Sequence, residues 1–357
     1  MKLVMTVAAR DEADIIGAPL AFHLNAGVDF VIATDHRSAD GTTEIFREFE
    51  RAGYLELIEE TGEGYQQSEW VTRMARLAAT KHGADWVINS DADEFWWPRA
   101  GNLRDVLALV PPRYGAVQAF FRHFVARPED TRPFSERMTV RFRPVHPVTD
   151  PTKEYPAQWK VVHRAGANVT VGKGSHSLTG NALPTMRGWY PIELLHFPLR
   201  STEQCERKYA HHKSSTSGVL RNGDFRGQTQ RWYTAAQDGS LVEAYDAIIV
   251  DDDELEDGVR SGVLVEDRRL RDALRVLAHG PDEGVGGLAL PIGESRLTFE
   301  RPSVVDEQEY AAEAALVFEA RLVRVQRQID RLETRFNNHE RSIGRRVKAA
   351  VRRLGSR

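Results

Sequence analysis

Three carboxylates stand within four residues of one another, Asp91, Asp93 and Glu94, in the stretch WVINSDADEFWWP (86–98). They follow an apolar run directly and precede two tryptophans. Charged side chains are costly to bury unless something pairs with them, so the cluster needs a partner. An Asp-x-Asp pair on a turn can present both carboxylates to one hard divalent cation. Mg²⁺ and Mn²⁺ prefer oxygen ligands and are commonly held by one or two carboxylates together with substrate phosphates. A cation held there neutralises charge developing on a leaving phosphate, which points to a nucleotide diphosphate as ligand. A bare Asp-x-Asp triplet is also common in solvated turns, so its placement has to decide.

The elements around the cluster supply that placement. KLVMTVA (2–8) reads as a buried strand, followed by apolar residues at helical spacing and Gly27 as a stop. VDFVIAT (28–34), YLELIE (54–59) and DWVIN (85–89) read as further strands. Between them lie SADGTTEIFREFERAG, with a capping Asp or Thr and Gly53 as terminator, and SEWVTRMARLAATKHG, with Trp70, Met74, Leu77 and Ala78 on one face. Strands alternating with helices predict right-handed crossovers and a mainly parallel central sheet of Rossmann-like α/β type. Ligands of such sheets bind beyond the carboxyl ends of the strands. Asp91 and Asp93 sit past such an end, as do Arg10–Glu12 and Asp35.

The middle of the chain is read as strands over 115–127 and MTVRFRPV, a hairpin turning near Gly166, and a helix capped by Ser201. The acidic run VDDDELEDGVRSG reads as a solvated loop and residues 280–293, rich in Gly and Pro, as an irregular connection. From residue 304 onward the pattern is helical. Leu322, Val325, Ile329, Leu332 and Phe336 follow a three-four spacing, an a/d heptad seam resumed at Ile343, Val347, Ala350 and Leu354. Residues 321–357 carry 12 Lys/Arg against 3 Asp/Glu, a surplus of +9 that leaves −13 on the rest of a chain of formal net charge −4. A single cysteine, Cys205, excludes an intramolecular disulfide. With no apolar run of membrane-spanning length and no leader-like N-terminus, the reading is a cytoplasmic protein, with peripheral contact at the inner membrane face as a secondary expectation.

The motifs together resemble a family 2 glycosyltransferase of the GT-A fold, in the subgroup with a DADEF metal motif. AARDEADII resembles that subgroup's segment after the first strand, with Asp11 where Asn is usual. HLNAGVDFVIATDHRSADGT matches with Asp35, Ser38, Asp40 and Gly41 in place. DWVINSDADEF matches closely, and HFPLRSTEQCERK resembles the segment that closes the domain, with Phe197 for Tyr. The resemblance covers about the first 200 residues. It implies an inverting, metal-dependent hexosyl transfer from a nucleotide diphosphate sugar to a hydroxyl of an unidentified glycan, lipid or protein, with Mn²⁺ or Mg²⁺ as cofactor. By position it implies that Thr6, Ala8, Arg10 and Glu12 border the nucleotide, that Asp35 bonds the base, and that Gln67 and Arg73 face the donor. Asp91 and Asp93 would hold the metal and ribose-diphosphate, His196 would be the late metal ligand, and Glu94 would orient groups near the metal. An inverting enzyme needs a carboxylate base; Glu193, close to His196 in PIELLHF, is the candidate, with Asp150 and Glu154 as rivals.

Other residues take plainer readings. His211 and His212 are adjacent on a helix and point different ways; Trp96 and Trp97 read as core or acceptor-wall packing. The domain boundaries expected are 1–215 for catalysis, 216–302 for an irregular, helical extension and 303–357 for a basic coiled-coil helix. That helix predicts a homo-oligomer, antiparallel because Arg324, Arg327, Arg331 and Arg335 would repel in a parallel pair, or else docking on the acidic body. Anionic lipid is a further expected partner; nothing points to nucleic acid. A phosphatase using Asp-x-Asp would place it after the first strand, and a sugar nucleotidyltransferase would carry a Gly-rich basic loop there. A catalytically inactive scaffold working through its last helix is the non-enzyme alternative.

Overall fold

The computed structural model describes residues 1–143, 158–215, 228–278, 284–285, 287–291 and 295–354. The first half follows the alternation in the sequence: β1 (Leu3–Ala9), α1 (Gly17–Asn25), β2 (Phe30–Asp35), α2 (Thr42–Arg51), β3 (Leu55–Glu59), α3 (Gln67–Thr80) and β4 (Trp86–Ser90). These strands lie parallel in the order β3-β2-β1-β4. β1 is buried along its whole length, the mark of a strand covered on both faces. On α3, Trp70, Met74, Ala75 and Ala78 are buried against it. α2 starts where Gly41 takes φ +104, a conformation that favours glycine. The Asp40 carboxylate there accepts from the Thr42 backbone N–H and hydroxyl at 3.0 and 2.6 Å.

After β4 the chain turns back at once as β5 (Glu94–Pro98), then runs through α4 (Leu103–Ala108), β6 (Ala116–His123), α5 (Phe134–Arg137), β7 (Val140–Phe142), β8 (Trp159–Arg164), β9 (Thr170–Val171), β10 (Leu178–Thr179) and β11 (Ile192–His196). The eight-stranded sheet continues β4-β8-β6-β11-β5. β8 is antiparallel to both β4 and β6, β6 and β11 are parallel, and β5 closes the edge antiparallel to β11. The hairpin expected near Gly166 does not form: β8 enters the main sheet, and β9 pairs with β10 instead. Trp96 is core, its indole N–H donating to Ser90 Oγ at 3.1 Å; Trp97 stacks on Phe22 and meets Phe299 edge-on.

The remaining elements are α6 (Thr202–Ser215), α7 (Gln228–Asp238), α8 (Leu241–Asp246), α9 (Asp252–Arg260), β12 (Leu264–Glu266), α10 (Arg269–Ala278), the short pair β13 (Gly284–Val285) and β14 (Leu288–Ala289), and α11 (Val304–Leu354). They pack back on the sheet domain: β12 pairs with β7, and Trp232 and Tyr245 bury against Leu199 and Cys205. The acidic run read as a loop is the helix α9. Asp251 and Glu254 form a reciprocal capping box, and acidic residues in a first turn favour the helix dipole.

α11 does not separate at residue 303. Its early turns are docked: Tyr310 donates to the Ile192 carbonyl at 3.1 Å, and Ala314 and Val317 are buried with Phe120. Beyond them Leu322, Val325, Ile329, Leu332 and Phe336 are all exposed. Docking on the acidic body is therefore achieved by turns preceding the seam, and the seam itself stays in solvent. Among the described residues no helix is long and apolar enough to cross a membrane.

Candidate functional site

The polar ends of four strands converge. Asp35 ends β2, Asp91–Asp93 follow β4, His123 ends β6 and His196 ends β11. Asp93, Glu94 and His196 each offer a ligand atom within 4.8 Å of the others. Asp93 is buried; one oxygen lies 3.1 Å from Lys208 Nζ and the other 3.6 Å from His196 Nε2. Burial works against its ionised form, but Lys208 and then His196 more than offset that and hold the carboxyl well below the usual range. Lys208 comes from α6, whose start is capped by Ser201, its Oγ accepting from the Gln204 N–H at 3.1 Å.

Glu94 is fully buried. Its Oε2 accepts from the Asp91 N–H at 3.0 Å and from Lys160 Nζ at 2.7 Å. Among the described residues its Oε1, which is buried, has no hydrogen-bond partner. Burial pushes this carboxyl up to about 8 against the pull of Lys160. A buried acceptor left open costs roughly 1–3 kcal/mol, and the Glu94 carboxyl offers a ligand atom within 4.8 Å of those of Asp93 and His196. That is the fit expected of a hard divalent cation: two carboxylate oxygens and one imidazole nitrogen, the donor types that Mn²⁺ accepts and Mg²⁺ shares in part.

Asp91 is otherwise engaged. Gln67 Nε2 donates to its Oδ1 at 2.9 Å and Lys160 Nζ to its Oδ2 at 2.7 Å. Lys160 sits at 1% exposure on β8, so its ammonium is tolerable only because two carboxylates receive it. The residues that could hold a cation together are thus Asp93, Glu94 and His196; the sequence reading named Asp91, Asp93 and His196 for that role and gave Glu94 an orienting one, and Asp91 here receives Gln67 and Lys160.

Asp35 carries the second open acceptor. Its Oδ2 accepts from the Ser38 N–H at 3.3 Å and the Thr43 hydroxyl at 3.1 Å; its Oδ1 is buried without a partner among the described residues. The next residue, His36, joins Trp70 and Tyr65 in an aromatic cluster, with centroids 4.7 Å (His36–Trp70) and 5.3 Å (Tyr65–Trp70) apart.

The other expected residues divide. Gln67 is at the site. Arg10 follows the end of β1, its Nε 3.6 Å from Asp11. Glu12 lies at the same edge but is claimed by Arg200, at 2.5 Å; that buried guanidinium also binds Asp14 at 2.7 Å. Ala8 packs under Trp70 in the α3-side core. Thr6 is wholly buried in the sheet, its hydroxyl donating to Asn89 at 2.8 Å. Arg73 turns outward and pairs with Glu60; six residues from Gln67 on a helix, it cannot share its face.

Glu193 is not brought to the site. Three residues from His196 on one strand, it points to the opposite face of the sheet. There Arg122 Nε and Arg269 Nη2 donate to its Oε2 at 3.0 and 3.1 Å, and Arg269 Nη1 and Arg99 Nε reach its Oε1 at 3.3 Å. Burial opposes ionisation, but Arg269 and then Arg122 outweigh it and drive the carboxyl far below its ordinary range. A carboxylate so stabilised is a poor proton acceptor. Its rivals Asp150 and Glu154, and the side chains of His211 and His212, lie outside the described residues.

Residues 11–179 match the family model described as Glycosyltransferase family 92. The matched segment spans β2 to β10 and includes Asp35, Asp91, Asp93, Glu94 and Lys160. The chain carries a glycosyltransferase domain and is a glycosyltransferase; the matching family is 92 rather than the family 2 that its motifs resemble. Curated protein sequences give no match. Among solved structures, S. aureus TarS 1-349 in complex with UDP overlaps at 15% identity, over 85% of this chain and 100% of that one, with a TM-score of 0.32. The mannosyltransferase PcManGT from Pyrobaculum calidifontis, in complex with GDP-Man and Mn2+, overlaps at 16% identity, over 90% and 86%, with a TM-score of 0.32. Overlaps this loose leave the strand order and the site to carry the argument.

Proposed function

We propose that the enzyme transfers a hexosyl unit from a nucleotide diphosphate sugar to an acceptor hydroxyl, with inversion and with a divalent cation. The observation that supports this reading is the cluster of Asp93, Glu94 and His196, whose ligand atoms lie within 4.8 Å of one another, on the strand-end edge where Glu94 Oε1 and Asp35 Oδ1 are buried without a hydrogen-bond partner among the described residues. Asp93, Glu94 and His196 would hold Mn²⁺ or Mg²⁺. Bound there, the cation supplies charge neutralisation to the departing diphosphate. Asp35 would accept an N–H of the base, with the aromatic cluster against its face. Gln67 and Lys160 hold Asp91 in place at the mouth of the site. Lys208 supplies a cation whose ammonium can follow the charge on the diphosphate when Asp93 turns to the metal. Inversion rests on the resemblance to family 2 and asks for a carboxylate on the acceptor side, where Asp150 and Glu154 are the candidates left by the sequence.

The open seam on α11 suits a second copy of the chain, giving a homodimer, and its basic continuation suits anionic lipid. For catalysis the test is donor hydrolysis and transfer across a panel of nucleotide sugars, in EDTA and after Mn²⁺ is restored. Turnover in Mn²⁺ that EDTA abolishes is the expected result. Full turnover in EDTA would remove the metal from the mechanism.

A further inference from the structure

Two histidines meet beside the metal-ligand cluster. β6 and β11 run parallel with His196 in register with His123, and the Phe124 N–H donates to the His196 carbonyl at 3.0 Å. The two rings touch through their Nδ1 atoms at 2.9 Å. His123 is clamped from its own strand: Phe121 stacks on it, with centroids 5.1 Å apart and planes 7° from parallel. Phe121 also meets His196 edge-on at 5.0 Å. Both rings are therefore fixed by the sheet and by a common aromatic neighbour.

Proton placement follows from this geometry. A hydrogen bond between two Nδ1 atoms needs one to carry the proton and the other to accept it. His196 faces Asp93 through Nε2, so a cation shared with Asp93 takes the Nε2 lone pair. The neutral His196 ring must then carry its proton on Nδ1 and donate it to His123 Nδ1. The hydrogen bond on the far nitrogen is what selects the tautomer and orientation of a metal-binding imidazole.

We infer that His123 is the positioning residue for His196: by accepting the Nδ1 proton it holds the ring with Nε2 free for the cation. This rests on the metal reading above and adds to it a residue that no sequence motif marked. Its signature is metal affinity. Loss of such an outer partner typically weakens binding by about 10–100-fold.

The test uses Mn²⁺ alone, titrated into the full-length protein with free Mn²⁺ followed by electron paramagnetic resonance. His123→Phe keeps an aromatic ring against Phe121 but removes the acceptor. His123→Asn restores an acceptor oxygen near the position of Nδ1. The expected pattern is a Kd weakened about 10-fold or more in His123→Phe, with most of that recovered in His123→Asn and melting temperatures kept in both. An unchanged Kd in His123→Phe overturns the inference while the metal site stands. Equal weakening in Phe and Asn also overturns it, because ring shape rather than the proton acceptor would then matter. A wild-type protein that binds no Mn²⁺ removes the metal reading itself, and this inference with it.

Discussion

The two faces of β11 carry charge in opposite ways. On one, His196 looks at Asp93 and at Glu94, whose Oε1 has no partner among the described residues. On the other, Glu193 has both oxygens taken by three arginines, with Tyr310 stacked under Arg99 at 4.0 Å and Arg122 at 4.6 Å. Both clusters are buried and both contain carboxylates, so burial and charge do not separate the two. The state of the carboxylates does: both Glu193 oxygens accept from arginines, where the open atom is a donor, Arg99 Nε, while on the other face the open atom is an acceptor, Glu94 Oε1. The Glu193 side ties α10 and α11 to the sheet, through Arg269 and through Glu313 on Arg122. The His196 side keeps one carboxylate acceptor, Glu94 Oε1, open among the described residues at a cost to stability, as a site for an outside cation would.

Breaking the comparison on the open side should give the largest effect. Asp93→Ala is expected to cut transfer by about 10²–10³-fold, the equivalent of about 3–4 kcal/mol of transition-state stabilisation. Its melting temperature should also fall, because Asp93 is buried and held ionised by Lys208 and its removal leaves that ammonium short of a partner. Steady-state kinetics beside a thermal melt checks both halves; an active variant would return the carboxylate to a structural role.

On the closed side the expectation reverses. Glu193→Gln leaves buried arginines short of a counter-charge and should cost roughly 3–5 kcal/mol of stability, while kcat per folded molecule stays near wild type. A large fall in kcat with stability kept would revive Glu193 as the base. The same variant carries a pH test. Because the folded-state carboxyl lies below its ordinary value of 4.5, its stabilisation is present above that value and is lost as pH falls below it. Urea midpoints of wild type and Glu193→Gln should therefore differ most near neutrality and draw closer as pH falls below 4.5. A gap independent of pH would mean that the ion pairs are not its source.

Smaller effects sharpen the picture at the donor end and at the last helix. Asp35→Ala should raise donor KM by about 10-fold, the loss of one hydrogen bond to a charged group, and leave kcat nearly unchanged. An unaltered KM for every donor would sever Asp35 from the base. Leu332→Lys in the open seam of α11 should leave catalysis alone and convert a dimer to a monomer by light scattering. A wild-type monomer would show that the seam has no second copy to meet.

How much of this the sequence displayed depended on distance along the chain. The order β3-β2-β1-β4 was legible because each strand and helix announces itself by local period, and the Asp35 and DADEF placements follow from strand ends. The position of Glu193 was legible too: an odd separation from His196 on a strand means opposite faces, a parity the nearness of the two in sequence obscured. α9 carried its capping box in plain view within a run that looked merely solvated. Lys160 and His123 were not legible. Each is one polar residue in an apolar strand, and what makes it functional is the insertion of β8 between β4 and β6, or the pairing of β6 with β11. Such long-range pairings leave no local period to read.

The central claim, that the His196 face of β11 works while the Glu193 face holds, meets its most direct test in Mn²⁺ binding to Asp93→Ala and Glu193→Gln, measured by paramagnetic resonance on folded protein. The account predicts that Asp93→Ala loses the ion and Glu193→Gln keeps it at wild-type affinity. Retention by Asp93→Ala together with loss in Glu193→Gln would contradict it.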